Sequence, residues 1–126
     1  GLAYNVESSY NPYCDTGVFT IYFGTDNTYL EKSIKVVLSE LELLRTRKLG
    51  IVQLSKAKNQ FKGYLARGYE NHESLMLGLG KSILVFGKAE SLEETCSKIE
   101  KITSSELLET ANEVFNPSGL STLIYK

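Results

Sequence analysis

The chain has 126 residues, and its hydrophobic content of 42% is enough to bury the core of one ordinary domain. Lysine and arginine number 14 against 15 acidic residues, and the resulting net charge of −1 argues against the positive field that nucleic-acid binding requires. No apolar run approaches the roughly 20 residues that cross a membrane, and the first residues lack the pattern of a signal peptide. We therefore expect one soluble globular unit, while the compartment stays unknown.

The first part of the chain predicts an antiparallel hairpin. Apolar and polar residues alternate over residues 2–7 and again from about Val18 to Phe23, which is the period of a strand. A polar loop around Asn11 and Pro12 separates the two segments, so the strands should pair. The first strand has no turn or cap before it, which indicates a chain cut within a domain.

The middle of the chain predicts helices. Apolar residues recur at helical spacing over about residues 29–46, and Thr28 with Glu31 matches a capping box. A turn at Gly50 follows, and the helical spacing resumes over residues 54–67.

Further helices and a last strand complete the pattern. A third helical stretch is predicted to stop at Gly87. Residues 120–125 alternate as a closing strand. This order predicts the α+β class, with helices packed on one face of a small, mostly antiparallel sheet, and a single domain over residues 1–126. Two more capping boxes pair Ser91 with Glu94 and Thr103 with Glu106.

The side chains that could carry chemistry are few. Zinc needs three or four converging His, Cys or carboxylate ligands, yet the chain has one histidine, His72, for which a surface or cap role is expected. Cys14 and Cys96 show no metal-binding spacing and are predicted to be unpaired thiols. No nucleophile elbow is present, so serine and cysteine hydrolase schemes are disfavoured.

Two charged or glycine-rich stretches have ordinary interpretations. Residues 78–82 superficially match a phosphate loop but lack its first glycine and lie in helical sequence, where glycine more often permits close packing. Residues 43–69 contain seven basic and no acidic residues, which predicts a solvated face or an interface with an acidic partner; a direct contact with peptide carboxylate or phosphate is the minor alternative. Tyr10 and Tyr13 are expected to pack against the sheet.

Four pieces of sequence, taken in order, resemble a known family. They resemble the C-terminal domain of bacterial insulinase/pitrilysin-family zinc peptidases, which are inverzincins related to mitochondrial processing peptidase. The resemblance covers essentially the whole chain. The pieces are Gly1–Tyr4, Asp15–Gly17 leading into Phe19–Tyr22, Leu54–Gly63, and Leu77–Gly80.

The resemblance implies a role for Tyr4. In that family one domain carries His-x-x-Glu-His and zinc, while a second, similar domain contributes an arginine and a tyrosine that hold the substrate. Tyr4 matches the tyrosine and would donate a hydrogen bond near the scissile carbonyl. The arginine lies seven residues earlier, before Gly1. The chain would be part of a LuxS/processing-peptidase-like metallopeptidase domain, truncated at its N-terminus, with zinc in the parent enzyme and no cofactor or activity of its own.

Three functional hypotheses follow. The first is a substrate-positioning, non-catalytic part of a zinc metalloendopeptidase, whose partners are a zinc-bearing domain or subunit and a peptide substrate. The alternative is an inactive family member that acts as a structural or interaction subunit. The third is an unrelated α+β binding module. Under the first two, a cut domain would expose a sheet edge or helix face prone to self-association, and the bacterial cytoplasm and periplasm are both compatible locations.

Overall fold

A computed structural model describes residues 1–125, and these contain two antiparallel strands and five α-helices. The α+β class is therefore confirmed. The chain forms two compact units, one made of Gly1–Arg47 with the C-terminal residues from Leu108, the other of Lys48–Leu107. The assignment of residues 1–126 to a single domain stays a prediction. Among the described helices, none combines the length and apolarity needed to cross a bilayer.

The hairpin is the sheet of the first unit. Strand β1 (Asn5–Pro12) pairs antiparallel with β2 (Gly17–Gly24) along their whole lengths. Pro12, expected in the loop, instead ends β1, a position that does not require a backbone donor. The turn lies further on, where the Tyr13 N–H donates to the Thr16 carbonyl at 2.8 Å. The predicted hairpin and its second strand are thus confirmed, whereas the first strand, predicted over residues 2–7, begins only at Asn5 and runs to Pro12.

Helix α1 (Leu30–Thr46) follows the hairpin. A short 3-10 turn, Asn27–Tyr29, precedes it, and no side chain caps the first turn of α1. The predicted capping box of Thr28 and Glu31 is therefore wrong, because the 3-10 turn occupies the residues that would form it. The helix itself begins within one residue of the predicted start.

The second unit contains the next three helices that the sequence predicted. Helix α2 (Ile51–Glu70) and helix α3 (His72–Phe86) are separated by Asn71, whose side chain accepts a backbone N–H of the next turn at 3.0 Å. Gly87 ends α3 with φ 72°, a left-handed conformation that favours glycine. Helix α4 (Leu92–Lys101) then packs against α2.

Both later capping boxes form as predicted. The Ser91 and Glu94 pair begins α4, with reciprocal hydrogen bonds of 3.1 and 2.8 Å. The Thr103 and Glu106 pair begins helix α5 (Ser104–Val114), with bonds of 3.2 and 2.7 Å. Each box satisfies backbone donors that the first turn of a helix leaves without partners.

Buried contacts in the first unit join the end of α5 to the sheet. Phe115 meets Phe19 of β2 edge to face, with ring centroids 5.0 Å apart, and Ala111 is buried. This is the favoured geometry of an aromatic pair. The end of α5 therefore packs on the face of the hairpin that carries Phe19.

The predicted closing strand is not formed in the part of the chain that the structure describes. After a 3-10 turn at Pro117–Gly119, residues 120–125 have no regular structure. Alternation alone cannot make a strand, because its backbone groups need a neighbouring strand as partner. Within residues 1–125 the strand pairing is that of β1 with β2.

Candidate functional site

Tyr4 lies just before β1, at the open end of the hairpin. Its backbone N–H donates to the Gly24 carbonyl at 2.8 Å, which extends the ladder by one bond. Its side chain is 76% exposed. The backbone of Tyr4 is therefore fixed while its side chain is open to solvent.

A group of hydrogen bonds, which we call the Leu2 anchor, holds the chain before Tyr4. The Leu2 carbonyl accepts the Thr25 hydroxyl at 2.5 Å and the Ser33 hydroxyl at 3.3 Å. The two hydroxyl oxygens are 3.5 Å apart. Since Thr25 follows β2 and Ser33 belongs to α1, the anchor ties the first residues to both elements.

The Asp26 carboxylate acts on the Tyr4 phenol. A hydrogen bond with Asp26 raises the pKa of Tyr4 above its usual value, and desolvation and the negative charge of Asp26 act in the same direction. A raised pKa favours the protonated phenol. Tyr4 therefore keeps the proton that a hydrogen-bond donor needs throughout the neutral pH range.

The other two tyrosines of this region lie elsewhere on the hairpin. Tyr10 is 60% exposed and its ring covers Gly17, whereas Tyr13 is 62% exposed and lies in the turn. A strand of eight residues is roughly 26 Å long at about 3.3 Å per residue, so Tyr13 is far from Tyr4. The expected packing against the sheet is found for Tyr10, whose ring lies over Gly17 of β2, although the residue is also open to solvent. It is not found for Tyr13, which lies in the turn beyond the paired strands.

Part of the basic stretch is neutralised within the second unit. Lys62 forms an ion pair with Glu100 of α4, and the Lys58 ammonium donates to the Glu100 carbonyl oxygen at 2.6 Å. The hydrogen bond with Lys62 lowers the pKa of the Glu100 carboxyl, and the charges of Lys62 and Lys58 add to this. The acidic group that sequence analysis sought in a partner is here supplied by α4 of the same chain.

We expect this ion pair to make the stability of the second unit depend on pH. Because the folded pKa of Glu100 is lowered, its contribution is present above the unfolded pKa of about 4.3 and is lost as pH falls through the folded value. Glu100→Gln should therefore weaken the chain at pH 7 and have a shrinking effect below about pH 4.5. Urea denaturation from pH 3 to 7 measures this, with Glu109→Gln as control. An equal effect of Glu100→Gln at every pH would contradict it.

An open groove of about 920 Å³ also lies in the second unit. Leu75, Leu79 and Phe86 of α3 contribute to its apolar wall. Its two lysines, Lys88 and Lys98, are paired with the Glu90 carboxylate at 3.1 and 2.5 Å. The phosphate-loop-like residues 78–82 lie inside α3 rather than in a loop, and no atom lies within 4 Å of a Cβ placed on Gly78 or Gly80, so close packing at these glycines is not found. The groove therefore lacks the backbone cradle of a phosphate site.

The described residues do not fit a zinc ion. They contain no group of three or more His, Cys, Asp or Glu side chains that could hold a metal. His72 is the exposed first residue of α3, and its neighbour Asn71 provides the cap. Cys14 and Cys96 are free thiols, as predicted.

Comparison with known proteins places these features in a family. The sequence profile described as the Peptidase M16 inactive domain matches residues 1–61. An uncharacterized zinc protease of Rickettsia bellii is 33% identical over 124 residues, which are 98% of this chain and 30% of that protein. The chain belongs to the M16 peptidase family. The family resemblance inferred from the sequence is thereby confirmed.

Two further proteins are similar to this chain. The mitochondrial-processing peptidase subunit beta of Saccharomyces cerevisiae is 25% identical over 88% of this chain and 24% of that protein. A chain of complex III2 from Candida albicans, solved with Inz-5 bound, shares the fold with a TM-score of 0.78 and 22% identity, over 86% of this chain and 26% of that chain. The M16 chain described here spans about 30% of the length of its first curated relative.

The domain matched over residues 1–61 is described as inactive, and the described residues contain no cluster of metal ligands. The substrate contact of Tyr4 stays a prediction. Sequence analysis missed Thr25 and Ser33, which bind the Leu2 carbonyl, and Asp26, which acts on the Tyr4 phenol. Each is a common loop or cap residue, and no spacing rule joins them to Leu2.

Proposed function

We propose that this chain is a substrate-positioning, non-catalytic part of a zinc-dependent metalloendopeptidase that hydrolyses peptides. The zinc site would lie in another domain or subunit. The match to an M16 inactive domain and the naming of several relatives as zinc proteases support this proposal.

The main observation behind the proposal is that Tyr4 has an exposed side chain on a fixed backbone. Its phenol is exposed, its backbone is held by Gly24, and the Leu2 anchor fixes the residues before it. A donor fixed in advance loses little freedom when it binds, and this is the property required of a group that stabilises developing charge.

The proposed role of the chain is to orient a peptide and to donate one hydrogen bond. The Tyr4 hydroxyl would donate to the oxygen of the scissile carbonyl, where negative charge grows as water adds. Because the phenol keeps its proton at neutral pH, its hydroxyl could turn from Asp26 to the carbonyl oxygen and donate there. The donation would favour the transition state over the bound peptide, since the carbonyl oxygen gains charge only as the reaction proceeds.

Exposed apolar side chains support a partner domain or subunit. In α3, Leu84 is 87% and Phe86 is 71% exposed, and Ile51 at the start of α2 is 88% exposed. Large apolar side chains left open to water commonly mark surfaces that another protein covers. The same surfaces would serve the alternative function, an inactive family member acting as a structural or interaction subunit.

The residue seven positions before Tyr4 distinguishes the two functions. We expect reading of the full coding region to find arginine there, and we expect its replacement by alanine to reduce peptide hydrolysis by the purified parent protein. The family spacing supplies the reason, since an arginine and a tyrosine together would hold the peptide. Any other residue at that position, with no hydrolysis by the parent protein, would favour the structural subunit.

A further inference from the structure

We propose that Thr25 and Ser33 are positioning residues for Tyr4. Their hydroxyl groups hold the Leu2 carbonyl and thereby determine where the Tyr4 phenol lies. This inference rests on the proposed substrate contact of Tyr4 and adds the residues that fix it in place.

In the Leu2 anchor, two hydroxyl groups donate to one carbonyl oxygen. Among residues 1–125, Ser33 is the single buried polar residue, with 5% of its surface exposed. A buried hydroxyl is costly unless it is hydrogen-bonded, and the Leu2 carbonyl provides the acceptor at 3.3 Å. The Thr25 hydroxyl takes the other acceptor position of that oxygen at 2.5 Å. Leu2 is therefore held at the same time by the residue that follows β2 and by a residue of α1.

The anchor acts on Tyr4 over a short stretch of chain. One residue, Ala3, separates Leu2 from Tyr4, and the Tyr4 N–H is itself bonded to Gly24 at 2.8 Å. With the backbone fixed on both sides of Ala3, the side-chain torsions of Tyr4 remain the main freedom of the phenol. In catalysis a displacement of about 1 Å can cost roughly 100-fold in rate, so a small loosening here should be measurable.

Asp26 makes the position of the phenol observable. It follows Thr25 directly in the chain, and its carboxylate raises the pKa of Tyr4. If Thr25 loses its hold on Leu2, the phenol should move away from Asp26. The ionisation of Tyr4 then reports on the anchor independently of any peptide.

Two variants of Thr25 separate the hydroxyl group from the shape of the side chain. Thr25→Val keeps the shape and removes the hydroxyl, whereas Thr25→Ser keeps the hydroxyl. In the parent peptidase we expect Thr25→Val to lower kcat about 10-fold with KM little changed, and Thr25→Ser to stay within about 2-fold of the unaltered enzyme. Ser33→Ala should act in the same direction as Thr25→Val. If either of these variants fails to fold, the other still tests the anchor.

A double variant tests whether Thr25 acts through Tyr4. In a Tyr4→Phe background, Thr25→Val should have little further effect on kcat, because the donor that it positions is already gone. A loss as large as in the unaltered enzyme would show a general structural role and would overturn the inference.

A titration of the chain with ¹³C at the tyrosine ζ carbon completes the test. Thr25→Val should shift the pKa of Tyr4 down, toward the usual value of about 10, and Thr25→Ser should not. If Tyr4→Phe alone leaves hydrolysis unchanged, the proposed function fails. If Tyr4→Phe lowers hydrolysis but Thr25→Val matches Thr25→Ser in both kcat and titration, the proposed function stands and the positioning inference fails.

Discussion

Replacing Tyr4 by phenylalanine in the parent peptidase is expected to lower kcat by about 100- to 1000-fold. The change removes one hydroxyl and keeps the ring, so it deletes the hydrogen-bond donor with little effect on packing. Loss of a single donor to a developing oxyanion typically costs this much. Because the donation strengthens in the transition state, KM should change far less than kcat. Steady-state hydrolysis of a fluorogenic peptide measures both quantities.

Tyr13→Phe is the matched control. Tyr13 lies in the hairpin turn, at the opposite end from Tyr4, and is similarly exposed, at 62% against 76%. We expect its replacement to leave kcat and KM within about 2-fold of the unaltered enzyme. Equal losses for the two variants, or a loss at Tyr4 confined to KM, would contradict donation to the reacting carbonyl.

Local sequence signals predicted most of the helices. The boxes at Ser91 and Thr103 form as expected because each hydroxyl and its glutamate lie within one turn, so no distant residue is required. Gly87 ends α3 for a similarly local reason, its left-handed backbone. Thr28 shows the limit of this reasoning, since the motif is present but the preceding 3-10 turn moves the helix start past it.

Features that depend on distant residues were predicted less well. The alternation at residues 120–125 gives no information about a pairing partner, so the expected strand is not formed within the described chain. The residues of the candidate site also fall into a predicted and an unpredicted group. The family resemblance identified Tyr4, whereas Thr25, Asp26 and Ser33 reach it or its neighbour Leu2 through contacts between residues far apart in sequence. The ion pair of Lys62 with Glu100 was missed for the same reason.

The stability of the second unit should depend strongly on Ile99. This side chain lies on α4, which packs against α2, and it is 7% exposed. In the described structure Ile99 is one of two buried hydrophobic residues, together with Ala111 of the first unit. Ile99→Ala is therefore expected to lower the free energy of unfolding by about 2 to 4 kcal/mol, from lost apolar burial and the cavity left behind. Urea denaturation followed by far-UV circular dichroism measures the change.

Ile51→Ala is the control of the same chemistry in the same unit. Ile51 begins α2 and is 88% exposed, so removing its side chain takes almost no surface out of a packed contact. We expect a change within about 0.5 kcal/mol, the usual range for surface substitutions. If both variants lose the same free energy of unfolding, burial of Ile99 does not stabilise this unit more than an exposed isoleucine does. The packing of α4 on α2 would then not depend on Ile99. If Ile99→Ala alone is costly, α4 is held on α2 by burial, which also keeps Glu100 within reach of Lys62.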